Sequence, residues 1–200
     1  MGNLMIINGS PRAPHSNSKR YAQLFQKIWN QPTEEYAVMT NRPNWQKIQQ
    51  AAHLLLVFPL YADSLPVQLL QFLKDLARHL SKNRPTIHVL INCGFLEPEQ
   101  NKTAVEIIQF YCKENQLPYG MTLCVGSGEA ILNTPFRFLV NRKIKAFARG
   151  IQKGQRKQLS VTMPLTKNLF IRASTQYWIQ YGKKNKITKE QMETMKIEGK

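Results

Sequence analysis

The chain has 200 residues, 42% of them hydrophobic, which suits one domain with a full core. Its formal net charge of +16 is uneven: residues 135–200 carry sixteen Lys/Arg against three acidic residues, a net of +13, so the C-terminal third is where an anionic partner would be met. No apolar run approaches the roughly 20 residues of a membrane span, and no basic stretch leading into a signal-like apolar run opens the sequence, so a cytoplasmic location is expected.

Met5 to Asn8 is a short apolar run that breaks at Gly9 and leads into Ser10-Pro11-Arg12-Ala13-Pro14-His15-Ser16-Asn17. A strand, a loop of small hydroxyl and amide residues and then a helix make a phosphate cradle. The first amides of a helix have no intrahelical acceptor and sit at its positive end, so with the side chains of Ser10, Ser16, Asn17 and Ser18 they can hold an anion. Arg12 adds a charge-assisted contact. Capping alone needs one such residue, whereas this loop supplies four and an arginine. It has neither a Gly-x-Gly-x-x-Gly pattern nor a Gly-rich loop closed by Gly-Lys-Ser/Thr, which argues against a dinucleotide-binding Rossmann site or a nucleoside triphosphatase.

Tyr21, Leu24, Phe25, Ile28 and Trp29 recur at three and four, predicting a helix over 18–30 that Pro32 ends. Glu35 to Met39 makes a short strand, Asn41 to Asn44 a turn, and Trp45, Ile48 and Ala52 a brief helix. Leu54 to Phe58 is continuously apolar, as in a central parallel strand covered on both faces. After the loop 59–66, Leu69, Leu70, Leu73, Leu76, Ala77 and Leu80 mark a helix. Thr86 to Asn92 forms the fourth strand. Thr103 with Glu106 reads as a capping box before a helix through Ala104, Ile107, Ile108 and Tyr111.

Met121 to Val125 is a fifth strand, followed by a helix on Phe136, Leu139, Val140, Ile144, Phe147 and Ile151. Five strands alternating with five helices predict an α/β fold with a five-stranded, parallel, doubly wound sheet of order 2-1-3-4-5. The domain is expected to span 1–154, with a basic C-terminal extension, 155–200, packed on it.

In such sheets the ligand lies beyond the carboxyl ends of the strands, where strand order reverses. The loops after strands 1, 3 and 4 then become neighbours, and these are the loops of unusual composition: 9–18, 59–66 and 92–101. Tyr61, on a turn stiffened by Pro59 and Pro66, can pack against a flat heterocycle whose edge meets backbone groups. Cys93, Cys112 and Cys124 are widely spaced and outside any Cys-x-x-Cys pair. With no short-spaced cluster of His, Cys and acidic residues, neither a disulfide framework nor a metal site is expected.

The string GSPRAPHSNSKRYAQLF resembles the phosphate loop of the flavodoxin-like, NAD(P)H-dependent FMN reductases. Phe-Pro-Leu-Tyr-x-x-x-Leu-Pro at 58–66 and Asn92-Cys93-Gly94-Phe95 are similar to that family's flavin-ring loops, so the resemblance runs in motif order through about residues 4–130. It implies that Ser10, Arg12, Ser16, Asn17 and Ser18 receive the FMN phosphate, and that Pro59, Leu60, Tyr61, Ala62, Asn92, Cys93, Gly94 and Phe95 contact the ring. It also implies NAD(P)H as reductant, a small acceptor such as a flavin, quinone, nitro or azo aromatic, and a homodimer. The chemistry is then the cofactor's, and no residue is named as catalytic. The alternative is an FMN-binding electron carrier without nicotinamide activity, although such carriers are usually acidic.

Leu169, Phe170, Ala173, Tyr177, Trp178 and Tyr181 lie at helical spacings ahead of Lys183, Lys184 and Lys186. They suit either a helix packed on the domain or a surface for an anionic membrane or another acidic partner. No recognised nucleic-acid module is present, so no specific nucleic-acid partner is expected.

Overall fold

Leu4–Asn8 (β1), Glu34–Ala37 (β2), His53–Pro59 (β3), Thr86–Asn92 (β4), Tyr119–Val125 (β5) and Gln158–Val161 (β6) form one sheet, ordered β2-β1-β3-β4-β5-β6, with every pairing parallel. The computed structural model describes residues 2–13, 15–80 and 83–194, so Pro14 of the N-terminal loop and the lysines at 196 and 200 lie outside the described residues. The chain divides into two units, the first ending at Met163 and the second starting at Pro164.

The expected order 2-1-3-4-5 is present, but the sheet has a sixth strand. β6 continues the sheet beyond residue 154. Its sequence, Gln158-Leu159-Ser160-Val161, has two polar and two apolar residues because it is an edge: among the described residues only β5 pairs with it, and Gln158 and Ser160 are exposed. An apolar-run criterion finds buried strands and passes over one like this.

β3, β4 and β5 are buried almost throughout, as strands covered on both faces must be. Alternate side chains point to opposite faces. Met5, Ile7, Leu54, Leu56, Phe58, Val89 and Ile91 join a core with helices Val67–His79 (α3, through Leu69, Leu73 and Leu76) and Lys102–Glu114 (α4, through Ala104, Val105 and Ile108); Ile48 of the short helix Trp45–Gln50 (α2) joins it too. On the other face Asn17–Trp29 (α1) packs beside Arg137–Gln152 (α5), with Phe25 and Phe147 edge to face at 5.9 Å. Of the apolar stripe of α1 read from the sequence, Tyr21, Phe25 and Trp29 are buried there, while Leu24 and Ile28 are partly exposed.

α1 ends at Trp29, where Asn30 turns left-handed at φ 51°. The capping box expected at Thr103 and Glu106 does not form. A 3₁₀ turn, Pro98–Asn101, feeds α4 directly, so Thr103 already lies inside the helix.

The second unit contains Lys167–Lys184 (α6) and Lys189–Met192 (α7). Thr188 and Gln191 form a capping box at the start of α7, and the Met192 sulfur packs where Gly182 has no side chain.

At the end of the sheet away from the carboxyl termini, His88 is buried, its Nδ1 accepting the Met121 N–H at 2.9 Å and its Nε2 lying 3.2 Å from His53 Nδ1. Burial, then the neighbouring His53, pushes its pKa down to about 3, and burial also lowers that of His53. The unfolded chain therefore takes up protons below about pH 6.5 that the folded chain refuses. Stability is complete above that pH and is lost as pH falls toward the folded value. We expect the melting temperature to drop between pH 7 and pH 5, and His88→Gln, which can still accept the Met121 N–H, to flatten that slope; an unchanged slope in the variant would show that His88 does not cause it.

Candidate functional site

Strand order reverses between β1 and β3, and the loops leaving β1, β3 and β4 meet at their carboxyl ends. Asn8, the last residue of β1, is buried; its Oδ1 accepts the Ser10 N–H at 3.1 Å and its Nδ2 donates to Glu35 Oε1 at 3.1 Å. Gly9 keeps the chain pinned to β3 by donating to the Val57 carbonyl at 2.9 Å. Ser10 Oγ accepts the Arg12 N–H at 3.2 Å, which curls the loop back over the strand end.

Ser16 is the N-cap of α1, its Oγ accepting the Lys19 N–H at 3.1 Å. The amides of Asn17 and Ser18, the first two helical residues, have no carbonyl behind them in the helix. No acidic residue stands in the first turn. Instead Lys19 and Arg20 do, an arrangement that opposes the helix dipole unless an anion is to be held there. Lys19 is matched by Glu35 at 2.7 Å. The Arg20 guanidinium is held only by neutral acceptors, Asn17 Oδ1 at 3.1 Å and Asn133 Oδ1 at 2.7 Å. Arg12 and Arg20 thus have no carboxylate partner among the described residues.

Asn92, buried at the end of β4, donates through Nδ2 to the Phe58 carbonyl at 3.1 Å and to Ser18 Oγ at 3.2 Å, tying β3, β4 and α1 together at the floor. Above it the loop after β5 fits only as glycine, because a Cβ on Gly128 would lie 2.8 Å from the Asn92 Cβ. Gly128 donates to the Cys93 carbonyl at 2.7 Å and accepts from the Tyr21 hydroxyl at 2.9 Å. Burial raises the Tyr21 pKa, so the phenol stays a donor.

Tyr61 and Ser64 exchange both backbone hydrogen bonds at 3.0 Å, closing a two-residue turn. Its central residues, Ala62 and Asp63, have φ of 48° and 55°, left-handed at both positions without a glycine. Such strain persists where the surroundings impose it and concentrates at binding sites. The turn holds Tyr61 out at the rim with 60% of its surface exposed.

These loops enclose a cleft of about 720 Å³. Nine of the expected residues line it: Ser10, Arg12, Ser16, Asn17 and Ser18 at one end, Pro59, Leu60 and Tyr61 at the other, and Asn92 between. Ala62, Cys93, Gly94 and Phe95 do not. Cys93 is turned under its loop, with Sγ 3.4 Å from Asn101 Nδ2, and burial raises its pKa, so it is a protonated packing group. Phe95 is half exposed, Gly94 is exposed and Ala62 serves the turn. The cleft also takes in Lys19, Arg20, Gln23 and Glu129. The sequence singles out only the apolar stripe of this helix, and residues 19, 20 and 23 lie on the part of α1 that the stripe leaves free.

No family model and no curated protein matches the chain. Solved structures do match it. An NAD(P)H:quinone oxidoreductase from Methanothermobacter marburgensis is 10% identical, with 76% of this chain and 96% of that one covered at a TM-score of 0.59. A Fusobacterium nucleatum flavodoxin bound to flavin mononucleotide is 12% identical, covering 78% and 100% at 0.59, and an azoreductase from Bacillus anthracis str. Sterne is 11% identical, covering 76% and 100% at 0.54. At these identities the likeness establishes the fold: this is a flavodoxin-like α/β domain with a cleft at its switch point lined by the start of α1 and the loops after β1 and β3.

Replacing Ala62 with Gly relieves one left-handed position and should stabilise the protein by up to about 1 kcal/mol. Denaturant unfolding measures this, and a destabilised variant would mean that the turn is not strained.

Proposed function

We propose that this chain binds FMN in the cleft and acts as an NAD(P)H-dependent FMN oxidoreductase that reduces a small acceptor such as a flavin, quinone, nitro or azo aromatic. The observation that carries the reading is the start of α1: two amides without intrahelical acceptors, no acidic residue, and the unmatched cations Arg12 and Arg20 at one end of a cleft whose other end is an exposed aromatic on a fixed turn. That donor set fits a phosphate ester, and the distribution of charged and flat surfaces fits a phosphorylated aromatic ligand. The solved structures named above include reductases and a flavodoxin with FMN bound, which supports the same ligand.

FMN, when bound, supplies the hydride chemistry. The protein's share is placement. The Asn17 and Ser18 amides with Arg12 would hold the phosphate, and Ser10, itself fixed through Asn8, sets the loop that presents them. Tyr61, exposed at the rim, would offer its ring to a flat ligand. Asn92 is held by Phe58 and Ser18, so the floor beneath the ring is rigid and uncharged. Among the described residues Glu129 is the one carboxylate lining the cleft. A homodimer and a cytoplasmic location belong to the same proposal.

A flavodoxin-like carrier would share this cleft and differ in its partners. Its usual acidic surface contrasts with the +16 charge of this chain. The visible spectrum separates the two: the protein should retain flavin absorption after FMN addition and desalting, and NADPH added without air should bleach it. Retained flavin that NADPH leaves unchanged would assign the chain to the carrier class, and failure to retain flavin would remove both readings.

A further inference from the structure

Within the second unit, Gly182 is the only buried residue of α6. Phe170, Ile171, Ser174, Tyr177, Trp178 and Tyr181 recur at intervals of three and four and therefore share one arc of the helix. The three C-terminal aromatics touch one another, Tyr177 to Trp178 at 5.3 Å and Trp178 to Tyr181 at 5.8 Å edge to face, and Tyr177 to Tyr181 stacked at 6.3 Å. Even so they stay 55%, 47% and 52% exposed, in the order Tyr177, Trp178, Tyr181. Leu169 and Ile171 are half exposed as well. Within its own unit nothing covers this aromatic and aliphatic arc, so the unit presents it as a surface.

The charges select the occupant. From Lys167 to Lys189 the chain has Lys167, Arg172, Lys183, Lys184, Lys186 and Lys189 and no acidic residue. Glu190 and Glu193 follow, and Glu193 pairs with Lys189 at 3.5 Å, so a second copy would still bring five unmatched cations against five like cations among the described residues. Nucleic acid would satisfy the cations but gives exposed Ile171 and Leu169 nothing to bury against. A bilayer with anionic headgroups answers both: Tyr and Trp settle at the interface, the aliphatic residues enter the acyl boundary, and lysines meet the headgroup charge. No helix among the described residues is long and apolar enough to cross a membrane, so the contact would lie in the interface. We propose that α6 seats this protein on an anionic lipid bilayer. The proposal is independent of the flavin reading, since it uses no residue of the cleft.

The test uses the full chain, co-sedimented with vesicles of phosphatidylcholine alone or enriched in phosphatidylglycerol. Trp29 is buried and Trp45 is stacked between Phe72 and His79, which leaves Trp178 as the exposed indole. Binding is expected to the anionic vesicles only and to weaken with salt. It should fall on the order of a hundredfold when Lys183, Lys184 and Lys186 are changed to Gln, and be lost when Tyr177, Trp178 and Tyr181 are changed to Ser. Lipids brominated in the acyl chain should quench the wild-type tryptophan emission. Trp178→Phe should still bind while that quenching disappears, which distinguishes insertion from a variant that has simply misfolded. Vesicle binding that survives loss of the aromatics would reduce the effect to bulk charge and overturn the proposal. So would absence of binding to anionic vesicles, whether because the aromatic arc holds a dimer, seen as a shift to monomer in the serine variant, or because RNA alone is retained.

Discussion

The start of α1 is the constraint on which the arrangement depends. A helix that opens with Lys19 and Arg20 and no acidic residue sets cations against its own dipole. That cost is accepted in only part of the site: Lys19 is matched by Glu35, while Arg20 rests between two asparagine oxygens and Arg12 lines the cleft without a carboxylate. The result is a local positive potential with open hydrogen-bond donors, built at the place where a doubly wound sheet leaves a crevice. On the proposed reading, an anionic group of the ligand is the element that completes it.

Around that end the polar network is closed. Asn8 uses its carbonyl for Ser10 and its amide for Glu35, and Glu35 uses its second oxygen for Lys19, so the strand end, the loop, β2 and α1 are fixed in one chain of bonds. Asn92 does the same for β3, β4 and α1. Buried amides are tolerated here because their bonds are made within the fold, and they hold the cleft floor without adding charge. Close approach of Gly128 to Asn92 then brings the loop after β5 down as a lid on the same framework.

The sequence was most informative where one physical signal dominated. Leu54 to Phe58 could only be a doubly covered strand, and it is buried throughout. Ser10, Ser16, Asn17 and Ser18 stood out by number, and all four line the cleft. The structure divides their labour in a way composition could not: Ser16 caps the helix and Ser18 holds Asn92, leaving backbone amides and Arg12 to face a ligand. Cys93 and Phe95 share a motif with Asn92, but only Asn92 lines the cleft, because the chain turns under itself after β4 and takes the thiol with it. β6 escaped notice because an edge strand needs few apolar residues, and the left-handed turn at Ala62 and Asp63 because neither residue is glycine. For the second unit, spacing identified the helix and its aromatic arc, while only coordinates could reveal that its own unit leaves that arc open.

The central claim is that the loop entering α1 is a phosphate site, and the most direct measurement is the pair of dissociation constants for FMN and riboflavin, in the wild-type protein and in Arg12→Ala. The two ligands share the ring and differ at the phosphate. On this account the wild-type protein prefers FMN strongly, and the variant loses on the order of tenfold or more in FMN affinity, as expected for one charge-assisted hydrogen bond, with riboflavin almost unaffected. Equal affinity for both ligands in the wild-type protein, or equal losses in the variant, would contradict it.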